Sequence, residues 1–170
     1  MKDRELSPEI IEAARKVKLL IMDCDGVLTD GRLYFSADGE AMKAFDVQDG
    51  QGLVTWHRAG FRSGIISGRA AGEIIQRRAD ELGIEFVVAA SNDKVKDFET
   101  IIAAAGVTAE ETAFVGDDIG DLLLMGRVGF PIAVKNAVPE VKAAAKYITN
   151  KKGGRGAIRE VTDLLLKAVK

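Results

Sequence analysis

The chain has 170 residues, of which 47% are apolar and 29% charged, and its formal net charge is −2. This length suits one domain with an ordinary core, and the near-neutral charge provides no general surface for nucleic acid. No apolar run approaches the roughly 18 residues of a membrane span, and the N-terminus MKDRELSPEI lacks the apolar region of a signal peptide. We therefore expect one cytoplasmic domain over residues 1–170, without nucleic acid or membrane as a partner.

The first predicted element is a short helix that begins at Ser7-Pro8 and runs to about Val17. Serine is a favoured N-cap, and proline is favoured at the first helical position. The helix leads into the apolar run LLIM, residues 19–22. This run predicts a buried parallel strand.

Two carboxylates and a glycine follow this strand directly, as Asp23, Asp25 and Gly26. Side chains two apart on a strand point the same way, so the two aspartates should share a face if the chain stays extended, while Cys24 should be a small core residue. Open α/β sheets bind ligands at the carboxyl ends of their strands. Neighbouring carboxylates repel each other unless a cation or a shared proton intervenes, so the pair indicates a divalent metal site.

The next segment, residues 32–46, predicts a β-hairpin with its turn at Asp38-Gly39. It should lie over the acidic strand end or beside it. Its apolar side chains, among them Leu33 and Phe35, form a surface that two strands alone cannot bury. We therefore expect the hairpin to pack against something else, such as another subunit.

Strands and helices then alternate to the end of the chain, which predicts a mostly parallel, doubly wound α/β sheet with helices on both faces. The predicted elements are a helix over 49–59, a strand over 61–66, a helix over 70–82, a strand over 84–90, a helix over 94–105, a strand over 111–116, a short helix opened by 117–121, a strand over 130–134, a helix over 139–145 and an edge strand over 146–149. The basic stretch KKGGRG, residues 151–156, predicts a flexible loop before a terminal helix over 157–169.

Further polar residues follow the later strands, at the edge that carries the aspartate pair. Ser67 and Gly68 offer a hydroxyl and backbone N–H groups for a phosphate, although Ser67 would serve equally well as a helix N-cap. Lys94 follows the third strand, at a position where a lysine is usually a solvated surface charge.

Three acids, Asp117, Asp118 and Asp121, follow the fourth strand. They could simply favour the positive end of a helix. Their place directly after Gly116 and an apolar strand favours a metal site instead.

Together these motifs resemble the signatures of the haloacid dehalogenase superfamily. They are DCDGVLTD over 23–30, ISGR over 66–69, SNDK over 91–94 and GDDIGD over 116–121. The resemblance spans essentially the whole chain, and no large cap domain is inserted. It implies a phosphatase in which Asp23 attacks phosphorus and becomes an aspartyl phosphate, while Asp25 protonates the leaving alcohol and then activates water.

The resemblance also implies the binding groups. Mg²⁺ would be held by the Asp23 carboxylate, the Asp25 backbone carbonyl and Asp117. The acids that support this metal site would be Asp118 and Asp121. The groups that hold the phosphoryl oxygens would be Ser67, Gly68, Arg69 and Lys94, with Lys94 also orienting Asp23.

Within the superfamily the chain is similar to the capless group that contains 3-deoxy-D-manno-octulosonate 8-phosphate phosphatase. The shared features are DGVLTDG over 25–31, the hairpin, DGQG over 49–52 and GGRGAIREVTDLLL over 153–166; Gln48 stands where many relatives have arginine. This implies hydrolysis of that sugar acid phosphate in lipopolysaccharide precursor synthesis. It also implies a homotetramer in which hairpins meet and neighbouring subunits complete each site. The basic tail could be only a solvated linker to the last helix, but with the resemblance we expect its Arg155 to bind the substrate carboxylate in a neighbouring subunit.

Three other functions compete with this prediction. A response-regulator receiver domain would need a phosphorylated aspartate after the third strand, where Asp93 is a poor candidate. A non-catalytic assembly module, of the kind fused to sugar-nucleotide synthetases, would not need every acid. The third alternative keeps the chemistry and acts on a nine-carbon, sialic-type sugar acid 9-phosphate.

Overall fold

The computed structural model describes residues 6–169. Its helices and strands are α1 Pro8–Arg15, β1 Leu19–Met22, β2 Tyr34–Ser36, β3 Gly39–Met42, α2 Val47–Arg58, β4 Arg62–Ile66, α3 Gly72–Leu82, β5 Phe86–Val88, α4 Lys94–Ala105, β6 Thr112–Gly116, α5 Leu122–Met125, β7 Phe130–Ala133, α6 Pro139–Ala144, β8 Tyr147–Ile148 and α7 Ala157–Ala168. Short 3₁₀ turns over Ala109–Glu111 and Ile119–Asp121 precede β6 and α5. Each predicted helix and strand is present, with ends that differ by a few residues.

The central sheet has six parallel strands in the order β5-β4-β1-β6-β7-β8. The chain adds β4 and β5 on one side of β1, then returns and adds β6, β7 and β8 on the other. The strand order therefore reverses at β1, and such a reversal leaves a crevice at the carboxyl ends of the central strands. The predicted doubly wound α/β fold is confirmed.

Helices pack against one another in two groups around this sheet. The terminal helix α7 packs against α1 and α2, and α5 packs against α4 and α6. Residues 19–22 of β1 are completely buried, as are Ile158, Val161 and Leu165 of α7. The last helix is therefore part of the core. Within residues 6–169, no helix is long and apolar enough to cross a membrane.

Capping side chains determine where the first helices begin. Ser7 is the N-cap of α1, as predicted, and its hydroxyl accepts the N–H of Ile10. Asp46 caps α2 by accepting the N–H of Gln48 at 2.7 Å and that of Asp49 at 3.3 Å. Because this carboxylate satisfies two N–H groups of the first turn, α2 begins at Val47, two residues before the predicted start.

The hairpin forms an antiparallel pair of its own, outside the central sheet. Ser36 pairs with Gly39, so the turn residues are Ala37-Asp38, one position before the predicted turn. Its apolar side chains face solvent in the single chain: Phe35 is 63% exposed and Met42 54%. This part of the structure has the unpartnered apolar surface that the sequence predicts.

The basic stretch 151–156 differs from the flexible loop that the sequence predicts. Gly153 donates its N–H to Asn136 Oδ1 at 2.7 Å, and Gly154 donates to the carbonyl of Val27 at 3.0 Å. A Cβ on Gly153 would overlap the carbonyl of Gly26. The stretch is packed directly on the turn that follows β1, because two successive glycines let the two backbones meet.

Candidate active site

A cavity of about 380 Å³ opens at the carboxyl ends of β1, β4 and β6. It is lined by Asp23, Asp25, Gly31, Leu33, Ser67, Gly68, Arg69, Lys94, Asp117, Asp118, Gly120 and Asp121. The sheet therefore brings nine of the ten predicted site residues together, and Arg155 is the one that does not line this cavity.

Asp23 and Asp25 face the same cavity for a different reason from the predicted one. The strand ends at Met22, and the chain then turns so that the N–H groups of Val27, Leu28 and Thr29 all point to the carbonyl of Cys24. The aspartates therefore converge through a tight turn, and not through the alternation of an extended strand. Cys24 is completely buried, in agreement with its predicted core position.

Gly26 makes this turn possible. Its φ is +88°, a left-handed conformation that side chains rarely adopt, and a Cβ here would overlap the carboxylate of Asp117. Asn136, which follows β7, donates to the Gly26 carbonyl at 3.0 Å and accepts from Gly153. Asn136 thus fastens the turn and the tail loop together, a role that no local sequence pattern indicated.

Lys94 lies between two carboxylates. Its Nζ is 3.0 Å from Asp23 Oδ2 and donates to Asp121 Oδ1 at 2.7 Å. Burial opposes the charge on this amine, but the two carboxylates together raise the pKa of Lys94 above its usual value. Lys94 is therefore a cation with a fixed position at the base of the cavity.

Asp121 is buried and fully hydrogen-bonded. Its Oδ1 accepts from Lys94, and its Oδ2 accepts the backbone N–H groups of Asp117 at 2.9 Å and of Asp118 at 3.3 Å. The Asp118 side chain accepts the N–H of Ile119 at 2.8 Å, as a cap of the 3₁₀ turn. These two acids hold the loop after β6 in place.

Asp117 has the donor set and the surroundings of a cation ligand. One carboxylate oxygen from each of Asp23, Asp117 and Asp121 lies within 4.8 Å of the others. Asp117 Oδ1 is buried and accepts no hydrogen bond from the described residues. Burial, and then the charges of Asp23 and Asp121, raise the pKa of Asp117 to about 7. Burial and then Asp121 raise the pKa of Asp23 to about 6, although Lys94 opposes that shift.

These observations fit a hard divalent cation. Such ions prefer carboxylate and carbonyl oxygens, and a positive charge would relieve both the repulsion among the acids and the unsatisfied oxygen of Asp117. Because Asp121 already accepts from three donors, Asp23 and Asp117 are the better ligands within the described cluster.

Ser67, Gly68 and Arg69 line the cavity at the end of β4. Helix α3 begins at Gly72 with Ala71 as its N-cap, so Ser67 does not cap it. The Ser67 side chain is almost fully buried and accepts the N–H of Arg69 at 3.3 Å. The phosphate-binding donors that the sequence predicts at a helix N-terminus therefore belong to a loop, with Gly68 and Arg69 at the cavity surface.

Arg155 lies outside this cavity. Its guanidinium is 3.6 Å from Asp30 Oδ2, and two thirds of its side chain (66%) is exposed. Asp30 directly precedes Gly31, which lines the cavity, so Arg155 is a neighbour of the rim. The sequence does not indicate Lys43 and Glu40 of the hairpin: Lys43 pairs with Asp25, and Glu40 pairs with Lys43.

Comparison with known proteins decides the family. The family model of the haloacid dehalogenase-like hydrolases matches residues 55–160. The chain belongs to these haloacid dehalogenase-like hydrolases. Among relatives in this family, the 3-deoxy-D-manno-octulosonate 8-phosphate phosphatases of Yersinia pestis and Escherichia coli K12 are each 39% identical over 163 residues. Each alignment covers 96% of this chain, together with 87% of the Yersinia pestis protein and 86% of the Escherichia coli protein.

Solved structures of such hydrolases show the same fold. The crystal structure of the Yersinia pestis 3-deoxy-D-manno-octulosonate 8-phosphate phosphatase has a TM-score of 0.93 and 38% identity, covering 96% of this chain and 88% of that one. The enzyme of Moraxella catarrhalis, solved with a magnesium ion, a phosphate ion and a KDO molecule, has a TM-score of 0.91 and 39% identity, covering 96% and 93% of the two chains.

Proposed function

We propose that this chain is a Mg²⁺-dependent phosphomonoesterase that hydrolyses 3-deoxy-D-manno-octulosonate 8-phosphate to the free sugar acid and inorganic phosphate. The observation that carries the proposal is the cavity at the end of β1, where two aspartates, a buried lysine and a cation-type acid cluster converge. The similar Moraxella catarrhalis enzyme holds magnesium, phosphate and KDO together, which supports both the metal and the substrate.

The proposed reaction has two steps. A carboxylate oxygen of Asp23 forms a bond to phosphorus while the bond from phosphorus to the sugar oxygen breaks, and that bonding pair stays on the sugar oxygen. Asp25 gives this oxygen a proton. Asp25, now a carboxylate, then takes a proton from water as the water oxygen attacks the aspartyl phosphate, which releases phosphate and regenerates Asp23.

The remaining residues bind and orient the reacting groups. Asp23, Asp117 and the backbone carbonyl of Asp25 would hold Mg²⁺, which offsets the repulsion between an anionic nucleophile and an anionic phosphate. Lys94 is 3.0 Å from Asp23 and orients it. The proposed ligands of the phosphoryl oxygens are Ser67, Gly68, Arg69 and Lys94, and the proposed supporting acids are Asp118 and Asp121.

Substrate recognition and assembly are part of the proposal. Arg155 is exposed beside the rim, and a guanidinium matches a carboxylate well, so we propose it as the group that binds the carboxylate of the sugar acid. The apolar, exposed side chains of the hairpin support a homotetramer in which neighbouring subunits cover this surface. A single domain in the cytoplasm remains our expectation.

Phosphate release from a substrate panel tests the proposed function. The panel contains 3-deoxy-D-manno-octulosonate 8-phosphate, a nine-carbon sugar acid 9-phosphate and p-nitrophenyl phosphate, each with Mg²⁺ or with EDTA. We expect the eight-carbon substrate to have the highest kcat/KM, by roughly tenfold or more over the nine-carbon one, and EDTA to abolish turnover reversibly. A preference for the nine-carbon substrate would reject the proposed substrate, and a chain without any phosphatase activity would favour the assembly module.

A further inference from the structure

Lys43 is a buried cation at the junction of the hairpin and the active site. It directly follows β3, and its side chain has no solvent exposure, whereas the side chain of its neighbour Met42 faces solvent. A lysine ammonium is almost never fully buried unless it is paired, because removing it from water costs free energy that only close polar partners offset. The position of Lys43 is therefore determined by its partners.

Two carboxylates supply these partners. Lys43 Nζ donates to Asp25 Oδ1 at 2.5 Å and to Glu40 Oε1 at 2.6 Å. The other oxygen of Glu40 accepts from Arg69 Nε at 3.3 Å, and the Glu40 side chain is only 9% exposed. A chain of alternating charges thus runs from the proposed acid through Lys43 and Glu40 to Arg69, which also lines the cavity.

Lys43 has no direct access to the cavity. The cavity is lined by Asp25 and Arg69, but neither Lys43 nor Glu40 contributes to its wall. Lys43 can therefore influence a bound phosphomonoester only through the side chains that it contacts: directly through Asp25 and, by way of Glu40, through Arg69. Among the described residues, Lys43 is also the one side chain that binds the Asp25 carboxylate, since Asp25 Oδ2 is buried and has no hydrogen-bond partner there.

We propose that Lys43 is a positioning residue for Asp25, which fixes the carboxyl group in the orientation from which it exchanges a proton with the leaving alcohol. As the bond between phosphorus and the leaving oxygen breaks, its electron pair stays on that oxygen, and the proton moves to it from the Asp25 carboxyl group. This inference rests on the proposed phosphatase function and adds Lys43 as the residue that orients the general acid, Asp25.

Leaving-group dependence separates this role from a structural one. The value of kcat/KM covers the reaction up to transfer of the phosphoryl group to Asp23, and an alkoxide needs a proton in that step while p-nitrophenolate does not. We expect Lys43→Met to lower kcat/KM for an alkyl phosphate at least about tenfold more than for p-nitrophenyl phosphate. Lys43→Arg, which keeps the cation, should restore the wild-type ratio. The matched control is Lys96→Met, at an exposed lysine on α4, and it should change neither value.

Stability is recorded in the same experiment. Lys43→Met leaves the largely buried carboxylates of Asp25 and Glu40 without this cation, so Glu40→Gln/Lys43→Met, which removes one of these charges, is measured beside it. Both variants should show the same selective loss on alkyl phosphates. Equal losses on alkyl and aryl phosphates, in variants that still unfold cooperatively, would overturn the positioning role.

Assays with simple alkyl and aryl phosphates distinguish failure of the proposed function from failure of the proposed role of Lys43. A wild-type chain that hydrolyses them but not the eight-carbon sugar acid phosphate would reject the substrate and leave the test of Lys43 intact. A wild-type chain that hydrolyses no phosphomonoester would reject the proposed function, and the role of Lys43 with it.

Discussion

Asp23 and Asp25 are two residues apart and have different electrostatic surroundings. Asp23 lies among Lys94, Asp117 and Asp121. The ammonium of Lys94 and the proposed Mg²⁺ would keep its carboxylate charged and oriented for attack on phosphorus. Asp25 lies against the buried ammonium of Lys43. Because the surroundings of a carboxyl group determine its protonation and its contacts, two identical side chains in one site can have different roles.

The first prediction concerns these two aspartates. Asp25→Asn should lower kcat on the sugar acid phosphate by about 10²-fold or more, and Asp23→Asn should lower it further, because the first removes the acid and the second the nucleophile. Steady-state phosphate release measures both. Asp38→Asn, in the exposed hairpin turn, is the control and should have wild-type activity. Near-normal turnover by Asp23→Asn with an unchanged circular dichroism spectrum would reject the nucleophile.

At the scale of elements, the hairpin contributes two different surfaces. Lys43 pairs with Asp25 and Glu40 with Lys43 and Arg69, while Leu33, Phe35 and Met42 remain exposed. Two strands that expose this much apolar surface are marginal alone. We propose that a neighbouring subunit buries these exposed apolar side chains.

The second prediction tests whether the hairpin forms part of a subunit interface. Phe35→Glu places a charge on a side chain that is 63% exposed in the single chain, so it should weaken the tetramer while leaving the fold of the subunit unchanged. Sedimentation velocity at micromolar concentration measures the assembly, and activity should fall as the tetramer dissociates. Glu73→Gln, on α3, is a surface control. A wild-type chain that sediments as a monomer would reject the assembly.

The tail loop and α7 are a second pair of elements with separable roles. Deleting everything after Asn150 would remove Ile158, Val161 and Leu165, which are completely buried, and would destroy the core. Single substitutions in the loop are therefore needed to test substrate recognition by the tail.

The third prediction uses such a substitution. Arg155→Ala should raise KM for the sugar acid phosphate and leave kcat/KM for p-nitrophenyl phosphate nearly unchanged, because the aryl phosphate has no carboxylate to bind. Arg127→Ala, at an exposed position after α5, controls for loss of surface charge. If Arg155→Ala affects both substrates equally, the arginine serves the stability of the loop through Asp30 and does not recognise the carboxylate.

For the whole molecule, the acid cluster links stability to pH and metal. The pKa of Asp117 is about 7 in the fold, against an ordinary value of 3.8. Between these values the folded chain retains a proton that the unfolded chain has released, so stability falls as pH rises through this window. The raised pKa of Asp23, about 6, acts in the same direction.

The fourth prediction follows from this linkage. The metal-free protein should unfold at a lower temperature at about pH 8 than at about pH 5, since Asp117 and Asp23 are then both charged and repel each other without a metal ion between them. At about pH 8, Mg²⁺ at about 100 times its Kd should stabilise the fold by about 2.7 kcal/mol and raise Tm by roughly 5–10 °C. Differential scanning calorimetry measures both effects. Asp117→Asn should remove most of the metal effect, and a full Mg²⁺ shift in that variant would contradict this set of ligands.

The sequence predicted the sheet and most of the cavity because the polar residues concerned directly follow apolar strands. Parallel strands end at one edge, so Asp23, Ser67 and Asp117 had to meet there. Contacts that depend on the path of a loop were not predictable. Lys43 points inward to Asp25, 18 residues before it in the chain, and residues 151–156 pack on the turn after β1 through backbone contacts that composition does not encode. The turn that unites Asp23 and Asp25 likewise depends on hydrogen bonds to a single carbonyl.

Trapping the covalent intermediate tests the central claim most directly. The Asp25→Asn variant should still form a phosphoenzyme from p-nitrophenyl phosphate, whose leaving group needs no proton, but should hydrolyse it slowly without its base. Acid quenching, borohydride reduction and peptide mass analysis should then find homoserine at position 23, and no reduction at that position when Asp23→Asn is added. Reduction at another acid, or a burst of p-nitrophenol without a modified Asp23, would contradict this account.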